Sequence, residues 1–122
     1  MTILYQIFLY QKDKISYDVK DVINENLEID NLFVREMVNG VLDKKDELYK
    51  KADQNLKDWK MSRLGLTDQA ILCLGLYELL YTDTPDVVAI NEAVELAKSY
   101  SDDKVKNMIN KVLDNVYKEK IS

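Results

Sequence analysis

Ala89-Ile90-Asn91-Glu92-Ala93-Val94-Glu95-Leu96-Ala97-Lys98 reads as a helix before anything else is known of the chain. Ile90, Ala93, Val94, Ala97 and Tyr100 recur at the spacing that gathers side chains on one helical face. Asn91, Glu92, Glu95 and Lys98 fall on the opposite, polar face. Thr84-Pro85 ahead of this stretch supplies a cap and a proline suited to the first helical position. Ser101-Asp102-Asp103 behind it reads as the cap and first turn of a last helix. In that helix Val105, Met108, Ile109, Val112, Leu113 and Val116 form the apolar stripe, while Lys104, Asn107, Lys111 and Lys118 line the other side.

The same period runs upstream. Thr2 to Lys12 predicts a first helix, and 18–25 a short second one. Asp30 reads as the cap of a third, with Leu32, Phe33, Met37, Val38, Val41 and Leu42 inward. The charged stretch from Asp43 to Lys57 predicts a break near Lys45 and a fourth helix with Leu48, Tyr49, Ala52 and Leu56 inward. Its lysines and aspartates are expected to form a solvated face. Gly65-Leu66-Thr67 then reads as a stop and a new N-cap at Thr67, with Asp68 favourably placed in the dipole of the next helix. From Asp68 to about Tyr81 the chain is apolar nearly all round, which marks a central helix covered on most sides. Gly75 inside it lowers helix propensity by about 1 kcal/mol relative to Ala, so it predicts a close approach of helices. Ile71, Leu72, Leu76, Leu79, Ile90, Val94, Met108, Val112 and Leu113 are the expected core.

These readings add up to an all-α chain of about seven helices and no strands, one domain over residues 1–122. Three glycines and one proline are too few for a turn-rich β fold, and 47% hydrophobic content argues against disorder. No apolar run approaches the roughly 20 residues that span a bilayer, and the start lacks the features of a signal peptide. A single cysteine, Cys73, has no internal partner for a disulfide and suits a reducing compartment. The chain has no histidine, the commonest general base and metal ligand, and no phosphate-cradling glycine loop. Catalysis, a metal, a cofactor and a small-molecule substrate are therefore not expected. The net charge of −5 suits a stand-alone nucleic-acid binder poorly. Between Lys98 and Lys120, however, six lysines face four acidic residues, a local +2, so the other residues sum to −7. Phosphate contacts are expected at this C-terminal end. Tyr5, Tyr10, Tyr17, Tyr77, Tyr81 and Tyr100 either stack on bases or serve as core and rim aromatics.

Several motifs fall in one order along the chain. They are Leu4-Tyr5-Gln6, then Phe33 with Arg35-Glu36 and Gly40-Val41, then Trp59 and Arg63-Leu64. Asp68, Ala70-Ile71-Leu72 and Tyr77-Glu78-Leu79 follow, then Pro85, Ala89-Ile90-Asn91-Glu92-Ala93 and Val112-Leu113-Asp114. In this collinear run the chain resembles the NusB family of bacterial transcription antitermination factors over nearly its whole length. The resemblance implies two small helical bundles packed together and a cytoplasmic factor without catalytic activity. It implies binding to boxA-like single-stranded RNA jointly with a NusE-type small-subunit ribosomal protein. In the RNA polymerase antitermination complex the pair promotes read-through, notably in ribosomal RNA operons. Carried over residue by residue, RNA contacts are expected at Tyr5, Lys98, Lys104, Lys106, Asn107, Met108 and Lys111, and partner contacts at Asp68 and Glu78.

The departures from the family pattern are specific. Met1 stands almost directly before Leu4-Tyr5, where the family has an arginine-rich arm. Cys73 stands where arginine is usual, and Met108 and Lys111 replace an aromatic and a glycine. Either the start lies further upstream, or this is a short form that relies on its partner for RNA affinity. Two other readings stay open: a module that keeps the NusE-like contact without RNA, and a fragment of an RNA methyltransferase carrying a NusB-like domain.

Overall fold

The computed structural model describes residues 2–14, 16–19, 32–57 and 59–122, which contain six α-helices and no strand. In chain order they are α1 (Thr2–Lys12), α2 (Leu32–Asp43), α3 (Lys45–Asn55), α4 (Leu66–Tyr81), α5 (Asp86–Tyr100) and α6 (Asp103–Ile121). A 3₁₀ turn, Met61–Arg63, precedes α4. The short helix expected at 18–25 lies almost wholly outside the described residues, as do Asp30 and the side chains of Leu32 and Phe33.

Every other described helix packs on α4. Its burial follows from its composition: Ala70, Ile71, Leu72, Cys73, Gly75, Leu76 and Leu79 are all inside. Each buried Ile or Leu contributes about 1.5–3 kcal/mol relative to exposure. Helices α5 and α6 pack on α4 and on each other, while α1, α2 and α3 cover the rest of its circumference. One core runs through both groups, from Ile3, Leu4, Ile7 and Phe8 in α1 to Ile109, Val112, Leu113 and Val116 in α6. Buried polar groups are satisfied locally. Gln69 donates to the Leu64 carbonyl at 2.8 Å and accepts from the Tyr49 hydroxyl.

Gly75 does mark a close approach. A Cβ there would lie 2.9 Å from the Ala93 Cβ on α5 and 3.1 Å from Leu113 Cδ1 on α6. This contact also explains a departure from the expected core. On α5 the buried positions are Ala89, Ala93 and Ala97, while Ile90 and Val94 are only partly covered. The small side chains are turned inward because α4 leaves no room for larger ones. Tyr100, expected on the apolar face, is 58% exposed for the same rotational reason. Met108 is likewise half-buried beside fully buried Ile109 and Val112.

Helix starts differ from the sequence reading by one or two residues, the usual scatter at frayed ends. Helix α4 begins at Leu66 with Gly65 at the N-cap, so Thr67 lies in the first turn and caps nothing. Pro85 is itself the N-cap of α5 and precedes the first helical residue, Asp86. Asp102 caps α6 by accepting the Val105 N–H at 2.8 Å. The seam between α4 and α5 is closed from the last turn of α6. There Lys120 Nζ donates to the Leu79 carbonyl at 2.8 Å and to Asp86 Oδ1 at 2.6 Å. A cation suits the carbonyl end of α4, and at the start of α5 it is held by the Asp86 carboxylate rather than by the helix dipole.

Replacing Gly75 by valine forces branched carbon into the α5–α6 contact. The expected loss is about 1–3 kcal/mol, the usual range for overpacking. Urea denaturation followed by helical circular dichroism measures it, and an unchanged midpoint would contradict the three-helix contact.

Candidate functional site

The loop after α3 is pinned at both ends. Leu56 and Met61 are buried, and Asp53 Oδ1 accepts the Met61 N–H at 2.7 Å. Trp59 between them is left 39% exposed. It faces α6, where Lys104 Nζ sits 5.3 Å from the ring centroid. Together they begin a groove of about 620 Å³ between the α3 end and α6. Leu56, Trp59, Met108 and Val112 supply its apolar surface. Lys57, Lys104 and Lys111 supply positive charge, and Gln54, Asn55, Asn107 and Asn115 supply amides. No carboxylate is among the described residues that line it. Lys104, Asn107, Met108, Lys111 and Asn115 share one face of α6 because they recur at helical spacing.

A second cleft, of about 530 Å³, opens on the other side of the first turn of α6. Tyr5, Leu9 and Lys12 of α1 line it with Leu66, Thr67 and Asp68 of α4 and with Tyr100, Ser101, Asp102 and Val105. Ser101 donates its hydroxyl to Asp68 Oδ1, which ties the α5–α6 connection to the start of α4. Tyr5 is 37% exposed here. Two carboxylates against one lysine make this cleft acidic, opposite in sign to the groove.

The structure therefore divides the residues singled out in the sequence. Lys104, Asn107, Met108 and Lys111 come together in the groove. Tyr5 and Asp68 come together in the cleft. Lys98, Lys106 and Glu78 line neither, and Lys98 is engaged by Glu95 at 3.0 Å. Among the described residues Lys106 and Lys111 form no ion pair, whereas Lys118 is held by Asp114 at 3.0 Å. Glu78, one of the two expected partner contacts, is buried.

Four of the six tyrosines have internal roles. Tyr10 accepts from Gln6 and lies against Tyr17, whose hydroxyl accepts from Gln11. Tyr77 packs over Gly40 of α2 and stacks with Tyr81. Tyr81 donates to Glu47 at 2.8 Å, and that bond raises its pKa. Tyr5 and Tyr100 are left at the cleft. Two residues escaped the sequence reading. Lys45, assigned to a solvated face, is partly buried, hydrogen-bonded to Gln11 and 4.4 Å from the Phe8 ring centroid, and burial lowers its pKa. Trp59 entered only as a motif position; an apolar residue between two charged ones gave no sign that it would face outward. Cys73 is core, with its thiol pushed up to about 12 by burial.

The NusB family model matches residues 1–118, and the chain belongs to the NusB family. A transcription antitermination protein NusB from Macrococcus caseolyticus is 42% identical over 120 residues, covering 97% of this chain and 90% of the relative. One from Lactococcus lactis is 53% identical over 95 residues, covering 77% of this chain; the match spans about half, 49%, of that longer relative. A solved structure described as antitermination factors NusB and NusE in complex with dsRNA has the same fold. Its TM-score is 0.76 at 24% identity, over 96% of this chain and 89% of that one.

Glu78 carries the clearest pH dependence. Burial first, and then the charge and hydrogen bond of Glu92, push its carboxyl from 4.5 up to about 7. The folded protein thus takes up a proton that the unfolded chain releases near 4.5. Stability from neutral Glu78 is present below that value and is lost as pH rises through about 7. Glu78→Gln is expected to flatten this loss, so the variant gains on the wild type as pH rises from about 5 to about 8. Urea midpoints across that window check it, and parallel curves for the two proteins would place the proton elsewhere.

Proposed function

We propose that the chain is an antitermination factor that binds boxA-type single-stranded RNA jointly with a NusE-type ribosomal protein. In this reading it acts within the RNA polymerase antitermination complex and promotes read-through, notably in ribosomal RNA operons. The observation that carries the reading is the pairing of two surfaces of opposite sign around the first turn of α6. A groove with three lysines and no described carboxylate, on a chain of net charge −5, suits a phosphate backbone. An acidic cleft holding Asp68 and Asp102 suits a basic protein. The names of the relatives support an antitermination role, and a solved structure of the same fold is described as NusB and NusE in complex with dsRNA.

In this reading Lys104, Lys111, Asn107 and Met108 meet the RNA, with Lys106 on the adjoining surface of α6. Lys98, already paired with Glu95, adds long-range charge only. Tyr5 lies where RNA and partner would meet, and Asp68 faces the partner. Glu78 acts through the neighbouring exposed Glu92 because it is itself covered. The overall acidity makes the chain alone a weak binder, and the basic partner supplies the missing charge.

Fluorescence anisotropy with labelled boxA-type RNA, with and without the ribosomal protein, tests the reading. Binding is expected to be weak alone, much tighter with the partner, and steeply salt-dependent. Lys111→Ala should weaken the ternary complex and reduce the magnitude of the salt slope by about 1. Tight, salt-insensitive binding by the chain alone would move the RNA surface elsewhere.

Asp68→Lys introduces a like charge against a basic partner. A loss of at least about tenfold in partner affinity is expected at low salt, well beyond that of Ser101→Ala, which removes the same hydrogen bond without changing the charge. Pull-down or calorimetry with the ribosomal protein reads this, and wild-type affinity would remove Asp68 from the interface.

A further inference from the structure

We propose that Trp59 is a stacking platform for one base of a single-stranded RNA, with the Lys104 side chain as its exchangeable cover. The proposal rests on the RNA-binding reading above and assigns it a nucleotide subsite away from the Tyr5 cleft. Trp59 is the chain's only tryptophan and is 39% exposed on a loop anchored by buried Leu56 and Met61. The backbone on either side of it is thus anchored by packing, which limits the freedom lost when a ligand covers the ring. The Lys104 ammonium lies 5.3 Å from the ring centroid.

Magnitudes favour exchange of that cover. A cation over an exposed ring is worth roughly two- to fivefold in an equilibrium. A base stacked on an aromatic side chain is worth about five- to 150-fold in affinity. A base that displaces the ammonium therefore gains, and the released ammonium stays beside the groove to meet a phosphate. Lys111 lies seven residues further along α6, about 10 Å at 1.5 Å per residue, and extends the positive track. Asn107 and Asn115 add donors and acceptors suited to base edges. A duplex offers no free base face for the indole, so the occupant is single-stranded. The three ammonium groups lining the groove favour a polyanion over a basic protein.

The test uses the emission of Trp59 in the full chain with its ribosomal partner, with boxA-type RNA added and anisotropy of the labelled RNA followed in parallel. Emission is expected to be quenched with the same midpoint as the anisotropy. Trp59→Ala should weaken RNA binding by about five- to 150-fold, and Trp59→Phe should retain most of the affinity. Thermal melts of both variants separate this loss from unfolding, and the wild-type quench does not depend on either variant. RNA binding that leaves Trp59 emission unchanged overturns the stacking site while the antitermination reading stands. Absence of RNA binding even with the partner overturns both. Quenching by the ribosomal protein alone would make the groove a protein-docking surface and overturn the proposal.

Discussion

At Gly75 three helices meet with no side chain between them and the backbone of α4. A Cβ at that point would crowd Ala93 and Leu113 at 2.9 and 3.1 Å. The rest of the architecture follows from this constraint. Helix α5 must present Ala89, Ala93 and Ala97, so its larger apolar residues rotate toward the rim. That rotation leaves Tyr100 outside, beside Tyr5, and brings the α5–α6 connection over the start of α4. The Ser101–Asp68 hydrogen bond then holds the cleft together. A packing decision in the centre thus sets the geometry of a surface several turns away.

The first turn of α6 separates two electrostatic environments on a chain that is acidic overall. Lys104 and Asn107 face one way and Asp102 and Val105 the other, a division that helical periodicity imposes on consecutive residues. Salt screens both surfaces within about 8 Å at physiological ionic strength. Opposite ligands can therefore approach neighbouring faces of one helix without cancelling each other's attraction.

Most of the architecture was legible because it follows from period and composition. Helix α1 appears over Thr2–Lys12 as the spacing predicts, and α4 is covered on most sides as its apolar circumference requires. The glycine within α4 foretold a close approach for a stated energetic reason. The rotation of α5 was not legible, because Ala and Val both count as apolar and only the partner helices decide which is turned in. The site was legible in part. Spacing groups Lys104, Asn107, Met108 and Lys111 on one face, but Trp59 joins them only through tertiary packing of a loop some 45 residues upstream. Lys45 was misread because a basic residue in a charged stretch looks solvated. Its ammonium lies over the rings of Phe8 and Tyr49, which come from two different helices.

The burial of α4 on most sides also sets a schedule for synthesis. Its covering partners α5 and α6 are encoded after it, within residues 82–122. At about 5–20 residues per second, those 41 residues take on the order of 2–8 s to make. Throughout that interval Leu72, Leu76 and their neighbours exist as polypeptide without the surface that later hides them. Helices α1 to α3 can shelter one side early, but the Gly75 side closes only as Ala93 of α5 and then Leu113 of α6 are made. The nascent chain is most exposed to aggregation and to chaperone capture before α6 docks, with Lys120 on the Leu79 carbonyl and Asp86.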